Sequence, residues 1–179
     1  ENAASLLERE LSAKNYKPKL IAIGTNTDPY QPIERERKIM RSLLEVLNRF
    51  NHPVGIVTKS SLVTRDIDLL APMAAKGLAK VYLSVTTLDG TLARTMEPRA
   101  STPMKRLEAV KALNQAGIPT GVMVAPIIPS FNDHEIEKIL EAAKAAKAHE
   151  ANYIFLRLPL ELKDLFREWL QDNYPGRLN

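Results

Sequence analysis

Short apolar runs alternate with segments of helical spacing along this chain, and this alternation constrains its fold more than any other feature. The runs lie at residues 20–23, 54–57, 81–83, 121–125 and 153–156. Consecutive parallel strands need a crossover connection, which is usually a helix. The pattern therefore predicts an α/β fold built from five βα units around a parallel sheet.

Polar residues follow these runs, at what would be the carboxyl ends of the strands. They are Gly24, Thr25, Asn26, Thr27 and Asp28 after the first run, residues 58–60 after the second, 84–87 after the third, 126–129 after the fourth, and Arg157 after the last. In open α/β sheets and in βα barrels, ligands bind at the carboxyl ends of the strands. We therefore expect these residues to converge on one site.

Capping signals and apolar spacing predict the helices between the runs. Thr102 followed by Pro103 is typical of a helix start, and Asn132 or Asp133 is predicted to cap a later helix. Further helices are predicted over about residues 3–15, 33–47, 65–76, 88–95 and 161–172. The chain thus opens on a helix, whereas a βα array ordinarily opens on a strand. This order predicts a partial barrel, residues 1–179, that lacks its first strand; the alternative is a complete small α/β fold with an extra helix.

Composition excludes several classes of site. The chain has no cysteine, so a disulfide or a thiolate-bound metal is excluded for these residues. No apolar run approaches the roughly 20 residues that cross a bilayer, and the first residues do not resemble a signal peptide. A cytoplasmic location is therefore expected. His52, His134 and His149 lack the spacing of metal ligands and are predicted to lie on the surface.

Lys59 is the most informative single residue, because it directly follows an apolar strand. A lysine there must reach water or pair with an anion. It could bind a ligand carboxylate, act as a Schiff-base nucleophile, or be solvated at the rim. Ser84 and Thr86 offer hydroxyls to a ribose or serve only as strand and capping residues, and Glu97 with Arg99 is interpreted as a surface salt bridge.

Several stretches of the chain, taken in order, resemble one known family. They are Gly-Thr-Asn-Thr-Asp-Pro-Tyr-Gln-Pro-Ile-Glu (24–34), Ile-Val-Thr-Lys-Ser (56–60), Arg65-Asp66, Leu-Ser-Val-Thr-Thr-Leu-Asp (83–89), Arg-Thr-Met-Glu-Pro-Arg (94–99) and Pro-Ile-Ile-Pro-Ser-Phe-Asn-Asp (126–133). Together they resemble the radical S-adenosylmethionine (SAM) proteins related to spore photoproduct lyase, also described as DNA repair photolyase-like, and most closely their uncharacterised bacterial branch.

The resemblance implies a partial (β/α)6 barrel in which a Cys-x3-Cys-x2-Cys loop after the first strand holds a [4Fe-4S] cluster. In the intact protein it implies reductive cleavage of SAM to a 5′-deoxyadenosyl radical that abstracts hydrogen from an unknown substrate. Because a cluster needs thiolates and this chain has none, the chain is expected to be a fragment without the cysteine region, inactive by itself.

Cofactor contacts are carried over from the family by position. Gly24 to Asp28 correspond to contacts with the SAM amine, and Lys59 and Ser60 to contacts with its carboxylate. Ser84 and Thr86 correspond to residues near the ribose, and Pro126 begins the loop that packs on adenine. The expected partners are an unidentified substrate, with nucleic acid as one candidate, no membrane, and a second copy joined through an exposed sheet edge. The alternatives from other classes are a Schiff-base lyase or aldolase using Lys59, and a non-catalytic α/β binding module.

Overall fold

The computed structural model describes residues 2–177. Five strands form one sheet in the order β1-β2-β3-β4-β5, and every neighbouring pair is parallel. They are β1 Ile21–Ile23, β2 Val54–Thr58, β3 Ala79–Ser84, β4 Thr120–Ile127 and β5 Glu150–Phe155. The predicted α/β fold with five parallel strands is therefore confirmed.

The helices fall between the strands, as the apolar spacing predicts. They are α1 Ala3–Leu11, α2 Glu34–Arg37, α3 Ile39–Arg49, α4 Ile67–Ala74, α5 Gly90–Met96, α6 Pro103–Gln115, α7 Ile136–Ala145 and α8 Leu162–Asn173, with 3-10 turns at Ser61–Asp66, Asp133–Glu135 and Pro175–Arg177. The single helix predicted over residues 33–47 is divided into α2 and α3, because Lys38 adopts a left-handed conformation with φ of 50°.

One face of the sheet is covered by helices. Successive residues of a strand point to opposite faces, and the fully buried set includes Ile56, Val81 and Val122 from three neighbouring strands. They share one hydrophobic core with helix residues such as Leu44 of α3 and Val110 of α6. The core fixes the strands in register, and this register brings their carboxyl ends to one edge of the sheet.

Both edges of the sheet lack a strand partner in the part of the chain that the structure describes. No strand lies in residues 2–20, so β1 is an edge strand, and Leu20 beside it is exposed. β5 forms the other edge, and its large apolar residues Tyr153, Ile154 and Phe155 are also exposed. The sheet is therefore open rather than closed into a barrel.

Two local predictions from the sequence are wrong, and one is confirmed. Thr102 caps α6 by accepting from the Lys105 amide, with Pro103 first in the helix, as expected. Neither Asn132 nor Asp133 caps α7, whose cap position is Glu135. The Asn132 side chain is buried and bonds to backbone groups of neighbouring loops. His52 is not a surface residue, because it is buried and its Nε2 lies 2.7 Å from the Tyr16 hydroxyl.

Within residues 2–177, none of the helices is both long enough and apolar enough to cross a membrane.

Candidate functional site

The loop after β1 is held against the end of β2 by the Asp28 carboxylate. Oδ1 accepts from the Thr58 hydroxyl at 2.7 Å and from the Tyr30 amide at 2.8 Å, and Oδ2 accepts from the Lys59 amide at 2.7 Å. Hydrogen bonds to a charged acceptor are stronger than neutral ones. Asp28 thus fixes the loop, while Thr25, Asn26 and Thr27 stay exposed.

Gly24 lets this loop pass close to the backbone of β2. Its φ of +95° is a conformation that L side chains rarely adopt, and a Cβ built there would lie 1.9 Å from the Val57 carbonyl oxygen. Any larger residue would collide with backbone, which cannot move aside without opening the β1–β2 pairing. The glycine is therefore required by the approach of the two strand ends.

Lys59 lies beside this loop and forms an ion pair with Glu97. The Lys59 ammonium is 3.1 Å from Glu97 Oε1, and the Arg106 guanidinium is 2.6 Å from Glu97 Oε2. The Lys59 side chain is 34% exposed, whereas that of Arg106 is 1% exposed. Glu97 therefore joins a buried cation to a cation that reaches solvent, and the surface salt bridge expected between Glu97 and Arg99 is replaced by this network.

Arg106 is locked in place by further bonds to the backbone. Its Nε donates to the Ser101 carbonyl at 2.7 Å, and one terminal nitrogen donates to the Ser84 carbonyl at the end of β3 at 3.0 Å. These bonds connect α6, the loop before it and β3. The sequence carried a signal for this role that was missed: Arg106 occupies a position on the buried stripe of α6, next to Leu107 and in line with Val110.

The electrostatics of this network favour the charged form of Glu97. Burial alone raises the pKa of the Glu97 carboxyl, but the charges of Arg106 and Lys59 and their hydrogen bonds outweigh burial, and the pKa lies below its ordinary value. The Thr86 hydroxyl also donates to Glu97, at 3.0 Å. The network is therefore a fixed charge pattern at the carboxyl edge of the sheet.

The remaining predicted site residues lie at this edge but bond mainly to the protein. Thr86 is buried, and its hydroxyl reaches the Ala125 carbonyl as well as Glu97. Ser60 caps the following turn by accepting from the Leu62 amide. The Pro126 carbonyl accepts from the side-chain amide of Asn132. Ser84, the last residue of β3, is buried.

A buried cluster that the sequence did not reveal supports the loop from behind. The Tyr30 hydroxyl donates to Asp66 at 3.0 Å, and Asp66 also accepts from Arg41 and Arg65. Burial and the Asp66 charge raise the pKa of Tyr30 well above its usual range. Arg65 extends the cluster to the buried Glu34 carboxylate.

A cavity of about 390 Å³ opens beside the network. Its walls include Thr27, Asp28, Lys59, Ser60 and Glu97. Of the predicted residues, the structure thus places Thr27 and Asp28 of the loop after β1 together with Lys59 and Ser60 around one cavity, whereas Gly24, Thr25 and Asn26 of the same loop do not line it. Ser84, Thr86 and Pro126 lie at the same sheet edge but do not line it.

A family model for the radical SAM superfamily matches residues 3–143. The chain belongs to the radical SAM superfamily.

Two curated relatives extend this result. An uncharacterised protein of Mycobacterium bovis is 32% identical over 176 residues, a match that covers 97% of this chain and 52% of the relative. An uncharacterised protein of Methanocaldococcus jannaschii is 31% identical over 175 residues, covering 98% of this chain and 62% of the relative. The radical SAM chain thus spans about half the length of the mycobacterial relative.

A solved structure supports the fold. A spore photoproduct lyase mutant with bound AdoMet and dinucleoside spore photoproduct superimposes with a TM-score of 0.67 at 17% identity, covering 98% of this chain and 51% of that chain. At this identity the similarity concerns the fold, and it agrees with a partial radical SAM barrel.

The chain itself does not fit an iron–sulfur cluster, because it has no cysteine to supply thiolates. In the part that the structure describes, no group of three or more histidine, cysteine, aspartate or glutamate side chains is arranged to hold a metal ion. A small polar organic cofactor fits better, because the cavity beside Lys59 has the size typical of small-molecule sites.

Proposed function

We propose that this domain binds SAM at the carboxyl edge of its sheet and forms the SAM-binding part of a radical SAM enzyme. The observation that carries the proposal is the Lys59–Glu97–Arg106 network beside the cavity of about 390 Å³, in a chain of this superfamily. Bound SAM supplies a reactive sulfonium, and the domain contributes binding and orientation.

Lys59 is proposed to bind the SAM carboxylate. Lys59 lines the cavity and its side chain is 34% exposed, so a ligand carboxylate can approach it from the solvent side. Glu97 holds the ammonium at the cavity wall, and Arg106 holds Glu97 through a buried ion pair. A cation kept in place by a rigid support loses less freedom on binding than a free lysine would.

The loop after β1 is proposed to receive the SAM amine. Both oxygens of Asp28 accept from protein donors, so we assign Asp28 a positioning role. The exposed residues Thr25, Asn26 and Thr27 then present hydroxyl, amide and carbonyl oxygens to a charged amine. Gly24 sets the direction of the loop by its left-handed conformation.

Ser84, Thr86 and Pro126 are proposed to border the nucleoside of SAM. They lie near the carboxyl ends of β3 and β4, the two strands that follow β2 in the sheet order. Cluster thiolates belong, under this proposal, to protein outside these 179 residues. Under the same proposal, the complete enzyme acts on a substrate that is not yet identified, and nucleic acid is one candidate. A homodimer joined through the exposed sheet edge is also proposed.

The Schiff-base alternative gains no support from the geometry. Schiff-base lysines are activated by desolvation or by a neighbouring cation, whereas Lys59 is one-third exposed and faces a carboxylate. Borohydride reduction with a carbonyl substrate would trap Lys59 covalently if this alternative held.

Lys59→Ala in the complete protein tests the SAM site. A hydrogen bond to a charged group contributes about 1.5–3 kcal/mol, so SAM affinity measured by calorimetry should fall by about one to two powers of ten. The melting temperature should change little, since Glu97 keeps its bond to the buried Arg106.

Lys80→Ala is the matched control, because Lys80 also pairs with a glutamate, Glu150, at 2.6 Å but lies near the start of β3. Its SAM affinity should stay within about twofold of the unchanged protein. Equal SAM affinity for Lys59→Ala and Lys80→Ala would contradict the assignment of Lys59.

A further inference from the structure

A second cavity, of about 280 Å³, lies beside the SAM cavity and is strongly basic. We call it the basic groove and define it by Arg35, Ser61, Arg99, Thr102 and Lys105. Among the described residues that line it, none is an aspartate or a glutamate. Lys59 does not line it, so the groove differs from the proposed carboxylate site.

The three cations of the basic groove have no carboxylate partner in the part of the chain that the structure describes. Within residues 2–177, no ion pair engages Arg35, Arg99 or Lys105, and all three side chains are exposed. The nearby Glu34 is buried and committed to Arg65. Like charges around one concavity repel one another, and a bound anion offsets this repulsion.

Polar groups complete the walls between these cations. The Ser61 hydroxyl lies 3.1 Å from the Ser101 hydroxyl, and the Ser61 amide donates to the same oxygen. Thr102 caps α6, a helix of 13 residues whose amino end faces this region with a partial positive charge. Hydroxyls and cations in one concavity are the groups that bind the oxygens of a phosphate.

The basic groove is continuous with the SAM cavity. Both cavities are lined by Tyr30, Pro32, Ser60, Arg99 and Ala100. A molecule held by an anionic group in the groove would therefore extend toward the cavity beside Lys59. This adjacency assigns the groove to a substrate rather than to a distant regulator.

We propose that the basic groove binds a phosphate group of the substrate. Guanidinium groups pair with phosphate oxygens through two parallel hydrogen bonds, and lysine adds a point charge. A phosphate monoester carries close to two negative charges at neutral pH, which suits three cations better than one carboxylate does. The role as a substrate site rests on the function proposed above, whereas phosphate binding itself does not.

The groove variant for testing is Arg35→Gln/Arg99→Gln/Lys105→Gln in the complete protein. Two probes distinguish the source of the phosphate: inorganic pyrophosphate, followed by calorimetry, and a fluorescein-labelled single-stranded oligonucleotide, followed by anisotropy. At about 0.1 M salt, the variant should bind at least about tenfold more weakly than the unchanged protein to whichever of the two probes that protein binds. For the oligonucleotide, the plot of log affinity against log salt should become less steep by about two, since each of the three lost phosphate contacts contributes about 0.7 to the slope.

A matched control variant, Lys111→Gln/Lys138→Gln/Lys144→Gln, removes the same charge from exposed positions on α6 and α7. It should change the affinity by less than about threefold. Loss of pyrophosphate binding alone supports a small phosphorylated substrate, and loss of oligonucleotide binding as well supports a nucleic acid. Equal losses in both variants, or no binding of either probe to the unchanged protein, overturn the proposal.

SAM affinity of a double variant, Arg35→Gln/Lys105→Gln, separates the two proposals, because Arg99 also lines the SAM cavity. We expect it to equal that of the unchanged protein, because Arg35 and Lys105 line the groove and not the cavity beside Lys59. Loss of SAM binding together with phosphate binding would place the groove within the SAM site and overturn its role as a substrate site. Phosphate binding in a protein that binds no SAM would refute the proposed function and leave the phosphate site standing.

Discussion

Glu97→Gln should destabilise the protein by removing the only charge that Arg106 and Lys59 share in the described network. Arg106 is 1% exposed and Glu97 is 10% exposed, so the pair between them is buried. Removing one partner of a buried ion pair costs about 3–5 kcal/mol, because the other charge stays buried without compensation. The partly exposed Lys59 adds at most about 1 kcal/mol. Glutamine keeps one oxygen for Arg106, so we expect a loss near the lower limit, about 3 kcal/mol.

Chemical denaturation of the complete protein, followed by circular dichroism, measures this loss. Glu150→Gln is the matched control, since its pair with Lys80 at 2.6 Å is exposed on both sides. Exposed pairs contribute about 0–1 kcal/mol, and the control should lose no more than that. If Glu97→Gln cost no more than Glu150→Gln, the argument from burial would be refuted.

The same variant predicts a dependence on pH. The pKa of Glu97 in the folded protein lies below its ordinary value of 4.5, after the opposing effects of burial and of the two cations. Its charge therefore contributes its full stabilisation above about pH 4.5, and this contribution is lost as pH falls through the lower folded-state pKa. The difference in unfolding free energy between the unchanged protein and Glu97→Gln should shrink on acidification. A difference that grows below pH 4.5 would contradict the lowered pKa.

Three further outcomes are expected. Gly24→Ala should lower the free energy of unfolding by more than about 2 kcal/mol, because the new Cβ would collide with the Val57 carbonyl oxygen. Gly77→Ala is the control: Gly77 has a similar φ but open space around it, so the loss should be about 1 kcal/mol. Equal losses for the two variants on denaturation would rule out the collision. Anaerobic reconstitution of the 179-residue chain alone with iron and sulfide should give no stoichiometric cluster, because it has no cysteine, and stoichiometric visible absorbance would disprove this. The unpaired edge of β1, beside the exposed Leu20, should support dimerisation; light scattering that finds only monomer at high concentration would count against it.

The alternation of apolar runs and helical segments was enough to predict the parallel sheet and the sheet edge at which the candidate site lies. Both are consequences of local spacing and of the geometry of crossover connections. Gly24, Asp28 and Lys59 could be selected from the sequence because they directly follow predicted strands. Strand ends are close together in any parallel sheet, whatever the exact register.

The partners of these residues were decided by the tertiary structure. Glu97 and Arg106 lie nine positions apart in sequence, and Lys59 follows β2, much earlier in the chain. Only the tertiary structure brings the three side chains together. Whether a polar residue is buried depends on what covers it, as His52 and Asn132 also show. The sequence determined where the strand ends, and with them the candidate site, lie, because that follows from local periodicity. The charges that form the site depend on contacts between distant segments, and local periodicity contains no information about those contacts.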